Sequence, residues 1–353
     1  MTQGLPLHDH LERLAGAGGP IGPAEREVVE TIARVAIAVA ELVSLGNLEG
    51  CPGAVCGSSA GGDEQKALDV EADRLFRDAL RDSPVAVLAS EEGEAVEILD
   101  PQGALFLAID PIDGSGNIDL NMPVGTIFSV LPAAGLPVVY EAAETFHWPA
   151  GTSQSCAGLV VYGPQTMLVL ATTGGVDAFT LDRRLGCFVL SAAGLRVPAD
   201  TPGEYAINAS NYRHWEEPIR SFVDDCLAGC DGPMGRDFNM RWHGAAVAEA
   251  YRILLRGGIY LYPSDARPGY RDGRLRLIYE AFPIAFIMGQ AGGAASTGRQ
   301  RILDLKPRRL HQHVPLMFGS RNDIGRIERH HHRPEIWPRS SAPLFTSRGL
   351  FRI

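Results

Sequence analysis

Helical and extended hydrophobic patterns alternate along the chain. Apolar residues recur at helical spacing from Pro23 to Leu45, and a proline suits a first turn, so this stretch predicts one helix that ends at Gly46. A second amphipathic helix is predicted after residue 63, with Asp63 as its N-cap. Four apolar runs bounded by polar residues predict buried strands: "VAVLAS", "ALFLAI", "GTIFSVLP" and "TMLVLATT".

The second half of the chain begins where proline and glycine interrupt the apolar pattern, in "RVPADTPGEYA" near residue 200. Beyond this boundary we expect a strand from Tyr205 to Ala209, a helix from about Trp215 and a longer helix through "AAVAEAYRILLRGG". "IYLYP" predicts another strand, and "LRLIYEAFPIAFIMGQAGG" enters a further helix. The predicted organisation is an N-terminal arm (residues 1–23), a first domain (24–199) and a second domain (200–353).

Composition narrows the classes of function. The chain has 353 residues and a formal net charge of -10, which argues against a nucleic-acid or anionic-membrane partner. No apolar stretch has the length of a membrane span and no signal peptide is recognisable, so we expect a cytoplasmic protein. The six cysteines are sparse for a disulfide scaffold, which favours free thiols. The run His330 to His332 is expected to belong to a solvated terminus.

The stretch "IDPIDGSGNID", residues 109–119, concentrates three aspartates around a turn. Asp110 ends a predicted buried strand, and Pro111 stiffens the turn so that Asp110 and Asp113 can face one point. Carboxylates without basic partners suit hard divalent cations, Mg²⁺ or Mn²⁺. The backbone amides of residues 114–116 can point at an oxyanion. Metal ligands beside an amide nest are typical of a phosphate site.

Other acids occupy comparable positions, and the residues alone leave two interpretations open. Asp63 and Asp69 bracket a helix start, Glu91 and Glu92 follow a strand, and Glu280 lies in an apolar run where an unpaired charge is costly. They can belong to one metal site. Alternatively, Asp63 is only a cap, Glu91 and Glu92 are surface acids, and Glu280 pairs with Arg276.

Two stretches resemble the signatures of the class I fructose-1,6-bisphosphatases, within the inositol monophosphatase-like superfamily. They are "DPIDGSGNID" and "GRLRLIYEAFPIA" (Gly273 to Ala285), and "GDEQKALDV", "RWHG" and "GGIYLYP" follow the same order, so the resemblance covers about residues 24 to 325. It implies a layered α-β-α-β-α sandwich of the sugar phosphatase type, an α/β fold of two related halves. It also implies a homotetramer whose first domain holds the metal and phosphate loop and whose second domain holds the sugar-phosphate site.

The resemblance also implies roles for matched residues. The implied metal ligands are Glu91, Asp110, the carbonyl of Ile112, Asp113 and Glu280. The residues implied to position or deprotonate the attacking water are Asp63, Asp69 and Glu92. The implied substrate-binding set comprises Asp113, Gly114, Ser115 and Gly116 at the reacting phosphate, with Asn208, Tyr212, Arg241, Trp242, Tyr260, Tyr262 and Arg274 at the sugar and distal phosphate. Arg241 is implied to reach in from a neighbouring subunit.

Three positions depart from the family pattern. Gly116 replaces a serine, Trp242 a tyrosine and Arg274 a lysine. Tryptophan donates only through its indole N–H, and arginine presents a planar fork where lysine presents a point charge. These changes leave the chemistry in place and bear on which sugar fits.

The expected reaction is Mg²⁺-dependent hydrolysis of the 1-phosphate of fructose 1,6-bisphosphate to fructose 6-phosphate and phosphate, in gluconeogenesis or the Calvin cycle. One alternative is a sedoheptulose 1,7-bisphosphatase, alone or as a dual activity. An alternative of another class is a non-catalytic sensor of sugar phosphates, against which the retention of every matched acid counts.

Overall fold

The computed structural model describes residues 4–49, 51–58, 64–133, 148–200 and 202–332. Asp63 lies outside the described residues, as do the first three residues and those after His332. In the described residues the α-helices are α1 (Leu7–Leu14), α2 (Pro23–Leu45), α3 (Ala67–Leu80), α4 (Glu217–Ala228), α5 (Ala246–Arg256), α6 (Phe282–Gln290) and α7 (Arg321–His332).

Two sheets dominate the described part of the chain. The larger contains β3 (Val85–Ser90), β4 (Glu97–Ile98), β5 (Leu105–Asp113), β6 (Val124–Pro132), β7 (Cys156–Tyr162), β8 (Thr166–Thr172), β9 (Gly175–Asp182) and β10 (Cys187–Ala192), in the order β10-β9-β8-β7-β6-β5-β3-β4. The smaller contains β11 (Glu204–Ala206), β12 (Asn239–Met240), β13 (Ile259–Tyr262), β15 (Ala294–Ser296) and β17 (Leu316–Gly319), in the order β12-β11-β13-β17-β15. Two short pairs complete the strands: β1 (Val55–Ser58) with β2 (Glu64–Lys66), and β14 (Leu275–Arg276) with β16 (His313–Val314).

The elements stack in five layers. Helices α1, α2 and α3 share a core with one face of the large sheet. Helices α5 and α6 lie between its other face and the small sheet, and α4 and α7 cover the outer face of the small sheet. Alternation within β13 shows the small sheet's two faces, because Tyr260 packs toward the middle layer while Ile259 and Leu261 pack outward. The predicted α-β-α-β-α sandwich is therefore confirmed.

Most predicted elements form, and the exceptions have physical causes. Helix α2 and the four predicted strands are confirmed. The helix predicted after residue 63 begins only at Ala67, with Lys66 as its N-cap, so the prediction that Asp63 caps it is wrong. The Asp69 carboxylate instead accepts the Lys66 amide at 2.7 Å, which caps the helix from within its first turn.

Two further expectations change. The strand expected from Tyr205 to Ala209 is shorter because Asn208 starts a 3-10 helix, its side chain accepting the Ser210 amide at 3.3 Å. His330 and His331 are buried at the end of α7, so the expectation of a solvated run is wrong for these two. Within the described ranges, every helix is too short or too polar to span a bilayer.

Gly158 on β7 provides a test of the central packing. It lies opposite Phe128 on β6, and a β-carbon there would come within 2.4 Å of that ring and 2.7 Å of the Val169 carbonyl. We expect Gly158→Ala to lower the free energy of unfolding by about 1–3 kcal/mol, because the backbone contact cannot yield. Gly163→Ala is the matched control, since its β-carbon would meet nothing closer than 3.7 Å. Urea denaturation measures both, and equal stabilities would contradict the described packing.

Candidate active site

Three carboxylates form a buried cluster. Oxygens of Asp110, Asp113 and Glu280 all lie within 4.8 Å of one another, and each residue is buried. Asp110 and Asp113 come from the end of β5, whereas Glu280 comes from a π-helical turn, Leu277–Ala281, that precedes α6. Residues three apart in a regular strand face opposite sides. A register shift between Asp110 and Asp113 in the β5–β6 pairing removes that alternation and lets both carboxylates join one cluster.

The irregular turn is held by specific hydrogen bonds. The Thr126 hydroxyl donates to the Pro111 carbonyl at 2.8 Å, and the Tyr162 hydroxyl lies 2.8 Å from the same Thr126 oxygen. The Ile112 amide donates to the Asp110 carboxylate at 3.0 Å. The peptide group before Ile112, the residue whose carbonyl is an implied ligand, is therefore tied to the cluster.

Asp113 also caps the N-terminus of α5. The Val247 amide donates to its carboxylate at 2.7 Å, the Ala246 amide bonds to it too, and the helix has no side-chain cap of its own. The helix N-terminus favours the charged carboxylate. Burial acts in the opposite direction and prevails, raising the pKa of Asp113 above its usual range.

Glu91 and Glu280 share Arg276. Its guanidinium pairs with Glu91 and lies 4.0 Å from Glu280, while its backbone amide donates to the Glu280 carboxylate. The side chain of Glu91 is only 13% exposed, so the alternative of a surface acid is wrong for this residue. Burial raises the pKa values of Asp110 and Glu280 well above their usual range, and the charge of Glu91 raises both further. Arg276 alone does not balance the charges of Glu91, Asp110, Asp113 and Glu280, so a bound cation would be stabilised here.

Asp69 and Glu92 lie next to the cluster. Burial raises the pKa of each to about 7, and the charge of Glu91 contributes to both rises. One oxygen of Asp69 accepts the Lys66 amide, and the other is buried without a hydrogen-bond partner among the described residues. Glu92 accepts a bond from the Gln65 side chain. These two carboxyl groups can therefore exchange a proton near neutral pH.

The loop after Asp113, which the resemblance implies for phosphate binding, turns sharply at a glycine. Gly114 has a φ of 80°, and a β-carbon there would lie 2.5 Å from that of Ala245, so only glycine fits. Residues Ser115–Leu120 then form a 3-10 helix. Around Gly116 there is open space, so the serine of the family pattern would fit and its loss removes only a hydroxyl.

Part of the implied sugar-phosphate set comes together around β13. Asn208, Trp242 and Tyr262 line one small cavity, together with Asn211 and Asp265. Trp242 stacks on Tyr260 with ring centroids 5.8 Å apart and planes 2° apart, and it tilts against Tyr262. Arg274 donates to the Tyr270 hydroxyl at 2.9 Å. The rings of Trp242 and Tyr262 thus form part of the lining of this cavity, called the distal cavity below.

Tyr212 and Arg241 do not join that cavity within the described chain. The Tyr212 hydroxyl donates to the Asp224 carboxylate at 2.9 Å. Arg241 lies 3.5 Å from Glu204, is 48% exposed, and lines a separate groove of about 670 Å³.

Sequence reasoning overlooked Asn117 and Thr126. Asn117 donates to the carbonyls of Pro123 at 3.0 Å and His243 at 2.8 Å, tying the phosphate loop to the segment that carries Arg241. Its position inside the glycine-rich turn was a usable signal, because amide side chains commonly bond local backbone there. Thr126, inside an apolar strand, offered no such signal.

Comparisons with known proteins agree with this geometry. Family models for the N-terminal and C-terminal domains of fructose-1-6-bisphosphatase match residues 25–193 and 198–332. Class 1 fructose-1,6-bisphosphatases of Bradyrhizobium diazoefficiens and Nitrobacter hamburgensis are 52% and 51% identical to the chain, with 100% of each chain covered. The crystal structure of Leishmania major fructose-1,6-bisphosphatase in holo form has a TM-score of 0.84 and 32% identity, covering 94% of this chain and 99% of that one.

The layered fold and the two domain models define the class as a phosphatase of the α/β sandwich type. Within that class, the chain belongs to the class 1 fructose-1,6-bisphosphatase family.

The raised pKa values predict how stability depends on pH. Asp69, Glu92 and Asp113 bind protons more tightly in the folded chain than unfolded, so the folded state carries extra protons between about pH 4 and pH 7. In EDTA, we expect the melting temperature to fall as pH rises from 5 to 7.5. Mg²⁺ should raise it more at pH 7.5 than at pH 5, because the cation competes with protons. Differential scanning fluorimetry measures both effects. A melting temperature that rises with pH in EDTA would contradict the shifts.

Proposed function

We propose that this chain hydrolyses the 1-phosphate of fructose 1,6-bisphosphate, with Mg²⁺, to fructose 6-phosphate and phosphate. The observation that carries the proposal is the buried cluster of Asp110, Asp113 and Glu280 directly before the phosphate loop. The names of its relatives support the same substrate. The reaction serves gluconeogenesis or the Calvin cycle, in the cytoplasm.

In this proposal the acidic cluster holds the cation. Glu91, Asp110, Asp113, Glu280 and the carbonyl of Ile112 provide oxygen ligands, which suit Mg²⁺ and also Mn²⁺. When bound, the ion neutralises charge on the transferring phosphoryl group. Without it, the cluster depends on Arg276 and on protonation to offset repulsion.

The proton of the attacking water goes to the neighbouring carboxyl groups. We assign Asp69 and Glu92 to this role, because burial places their pKa values at about 7. Asp63, outside the described residues, is assigned with them from its sequence position. As the water oxygen bonds to phosphorus, the bond from phosphorus to the C1 oxygen breaks. The C1 oxygen takes up a proton from solvent, and the carboxyl group that received the water's proton returns one to solvent. The amides of Gly114, Ser115 and Gly116 bind the phosphoryl oxygens.

The distal part of the substrate lies at the second domain, residues 200–353, whereas the metal cluster draws mainly on residues 24–199. Asn208, Tyr260, Tyr262 and Arg274 hold the sugar and the 6-phosphate beside Trp242, with Tyr212 turning from Asp224 to join them. Arg241 is half exposed and does not line the distal cavity of its own chain, which supports its assignment to a neighbouring subunit's site in a homotetramer.

A second substrate has one observation in its favour. Trp242 and Arg274 replace the tyrosine and lysine of the family pattern, and Trp242 lines the distal cavity. We therefore include sedoheptulose 1,7-bisphosphate as a candidate for dual activity. The sensor alternative has less support, because binding alone gives no use for proton carriers at Asp69 and Glu92.

Asp113→Asn tests the metal assignment. Asparagine keeps an acceptor for the Val247 amide but removes a ligand charge, so kcat should fall at least about a hundredfold while the fold persists. Phosphate release from both bisphosphates is measured across a Mg²⁺ titration. Asp82→Asn, an exposed acid in the turn before β3, is the control and should match the unmodified enzyme. Near-normal activity of Asp113→Asn at limiting Mg²⁺ would rule the assignment out.

Arg241→Ala tests the shared site. We expect KM to rise more than kcat falls, because the distal phosphate is remote from the reacting bond. Hybrids with Asp113→Asn subunits should regain affinity, since those subunits supply an intact Arg241. Hybrids with the doubly substituted subunit are the control and should regain none. If exchange is verified by native mass spectrometry and affinity does not return, Arg241 does not act across subunits.

A further inference from the structure

The loop between β13 and β14 is built around Tyr270. Its carbonyl accepts the Asp265 and Gly273 amides, each at 3.1 Å, and its own amide donates to the Arg267 carbonyl at 3.1 Å. These three bonds close the loop on itself. Its near end is fixed as well, because the Ala266 amide donates to the His214 carbonyl at 3.1 Å. The backbone of Tyr270, from which the ring extends, is therefore fixed.

Two guanidinium groups lie over this one ring. Arg267 has its central carbon 4.1 Å from the ring centroid, and Arg274 has its own at 4.9 Å. Arg274 also donates to the Tyr270 hydroxyl at 2.9 Å. An aromatic face attracts such cations, and the hydrogen bond adds direction, so Tyr270 restricts where the planar fork of Arg274 can lie.

The loop borders the distal cavity. Asp265 lines that cavity with Asn208 and Tyr262, and Arg267 binds both carboxylate oxygens of Asp265, each at 3.0 Å from its Nε. Arg274 and Arg267 both act on the Tyr262 hydroxyl: burial raises its pKa, and the two positive charges lower it. Arg267 pairs with Asp265, and Arg274 is the one of the two guanidinium groups that the proposed function assigns to the distal phosphate.

We propose that Tyr270 is a positioning residue that holds Arg274 toward the distal phosphate and so sets the preference for bisphosphates over sugar 1-phosphates. This inference rests on the proposed function for its substrate. A fixed fork makes two parallel bonds to a phosphate, whereas an arginine that must first be ordered loses side-chain entropy on binding. Tyr270 reduces that loss before the substrate arrives.

The test compares ligands with and without the distal phosphate. For Tyr270→Ala we expect KM for fructose 1,6-bisphosphate to rise about tenfold with kcat within about twofold, and the Kd of fructose 6-phosphate, by calorimetry, to rise equally. The kcat/KM for fructose 1-phosphate should stay unchanged. Tyr270→Phe keeps the ring, so it should raise the same Kd only about two- to threefold.

A double-substitution cycle isolates the mechanism. If Tyr270 acts through Arg274, the Tyr270→Ala, Arg274→Ala pair should bind fructose 6-phosphate as weakly as Arg274→Ala alone. Arg271→Ala removes another positive charge from the same loop and is the control, expected to leave that Kd unchanged. A Kd for Tyr270→Ala within about twofold of the unmodified enzyme, additive effects in the cycle, or equal losses for the two substrates would overturn the inference.

The binding measurement separates the two hypotheses. If the unmodified enzyme releases no phosphate from fructose 1,6-bisphosphate, the proposed function fails. Calorimetry with fructose 6-phosphate still decides the role of Tyr270, because it needs no turnover. Thermal melts verify that each variant is folded. If Tyr270→Ala does not fold, the Kd of fructose 6-phosphate is compared between Tyr270→Phe and the unmodified enzyme.

Discussion

Mutual repulsion among buried carboxylates is the constraint on which the rest of the site depends. Asp110, Asp113 and Glu280 cannot all ionise in the interior, where the low dielectric strengthens repulsion, unless positive charge lies among them. The protein supplies part of it through Arg276 and the α5 N-terminus. Protons supply more, as the raised pKa values show. The positive charge beside the cluster is smaller than the negative charge within it. Such a cluster contributes little to the stability of the fold, but it suits a divalent cation.

The layered fold makes this cluster possible by letting distant segments meet. The irregular end of β5 gives Asp110 and Asp113, and the π-helical turn before α6 gives Glu280. Helices α5 and α6 form the layer between the sheets, and all three carboxylates are buried. The same layer lets α5 direct its first amides at Asp113. The middle layer therefore connects the metal cluster to the segment that bears Arg241.

Local patterns in the sequence were sufficient for elements whose partners are close along the chain. Helix α2 and the turn after Asp110 are of this kind. The misplaced N-cap of α3 is a local error, since the Asp69 carboxylate accepts the Lys66 amide three residues away. Features that depend on distant partners were not readable: Arg276 pairs chiefly with Glu91, which follows another strand. The direction of Tyr212 likewise depends on Asp224, and no periodicity encodes such a pairing.

The carboxylate cluster and the distal cavity are built differently. In the proposed function the cluster carries the reaction and the distal cavity selects the substrate. The metal end is buried and its groups are fixed by backbone amides and neighbouring charges, so a substitution there disturbs several pKa values at once. The distal end consists of rings and guanidinium groups, among them the half-buried Trp242 and Arg274, that contact other side chains. Residues of this end that do not touch one another can change independently with effects that add, whereas Tyr270 and Arg274 are in contact and are expected to be coupled. In the proposed function, changes at Trp242 and Arg274 would therefore alter which sugar fits while leaving the electrostatic balance among Asp110, Asp113 and Glu280 in place.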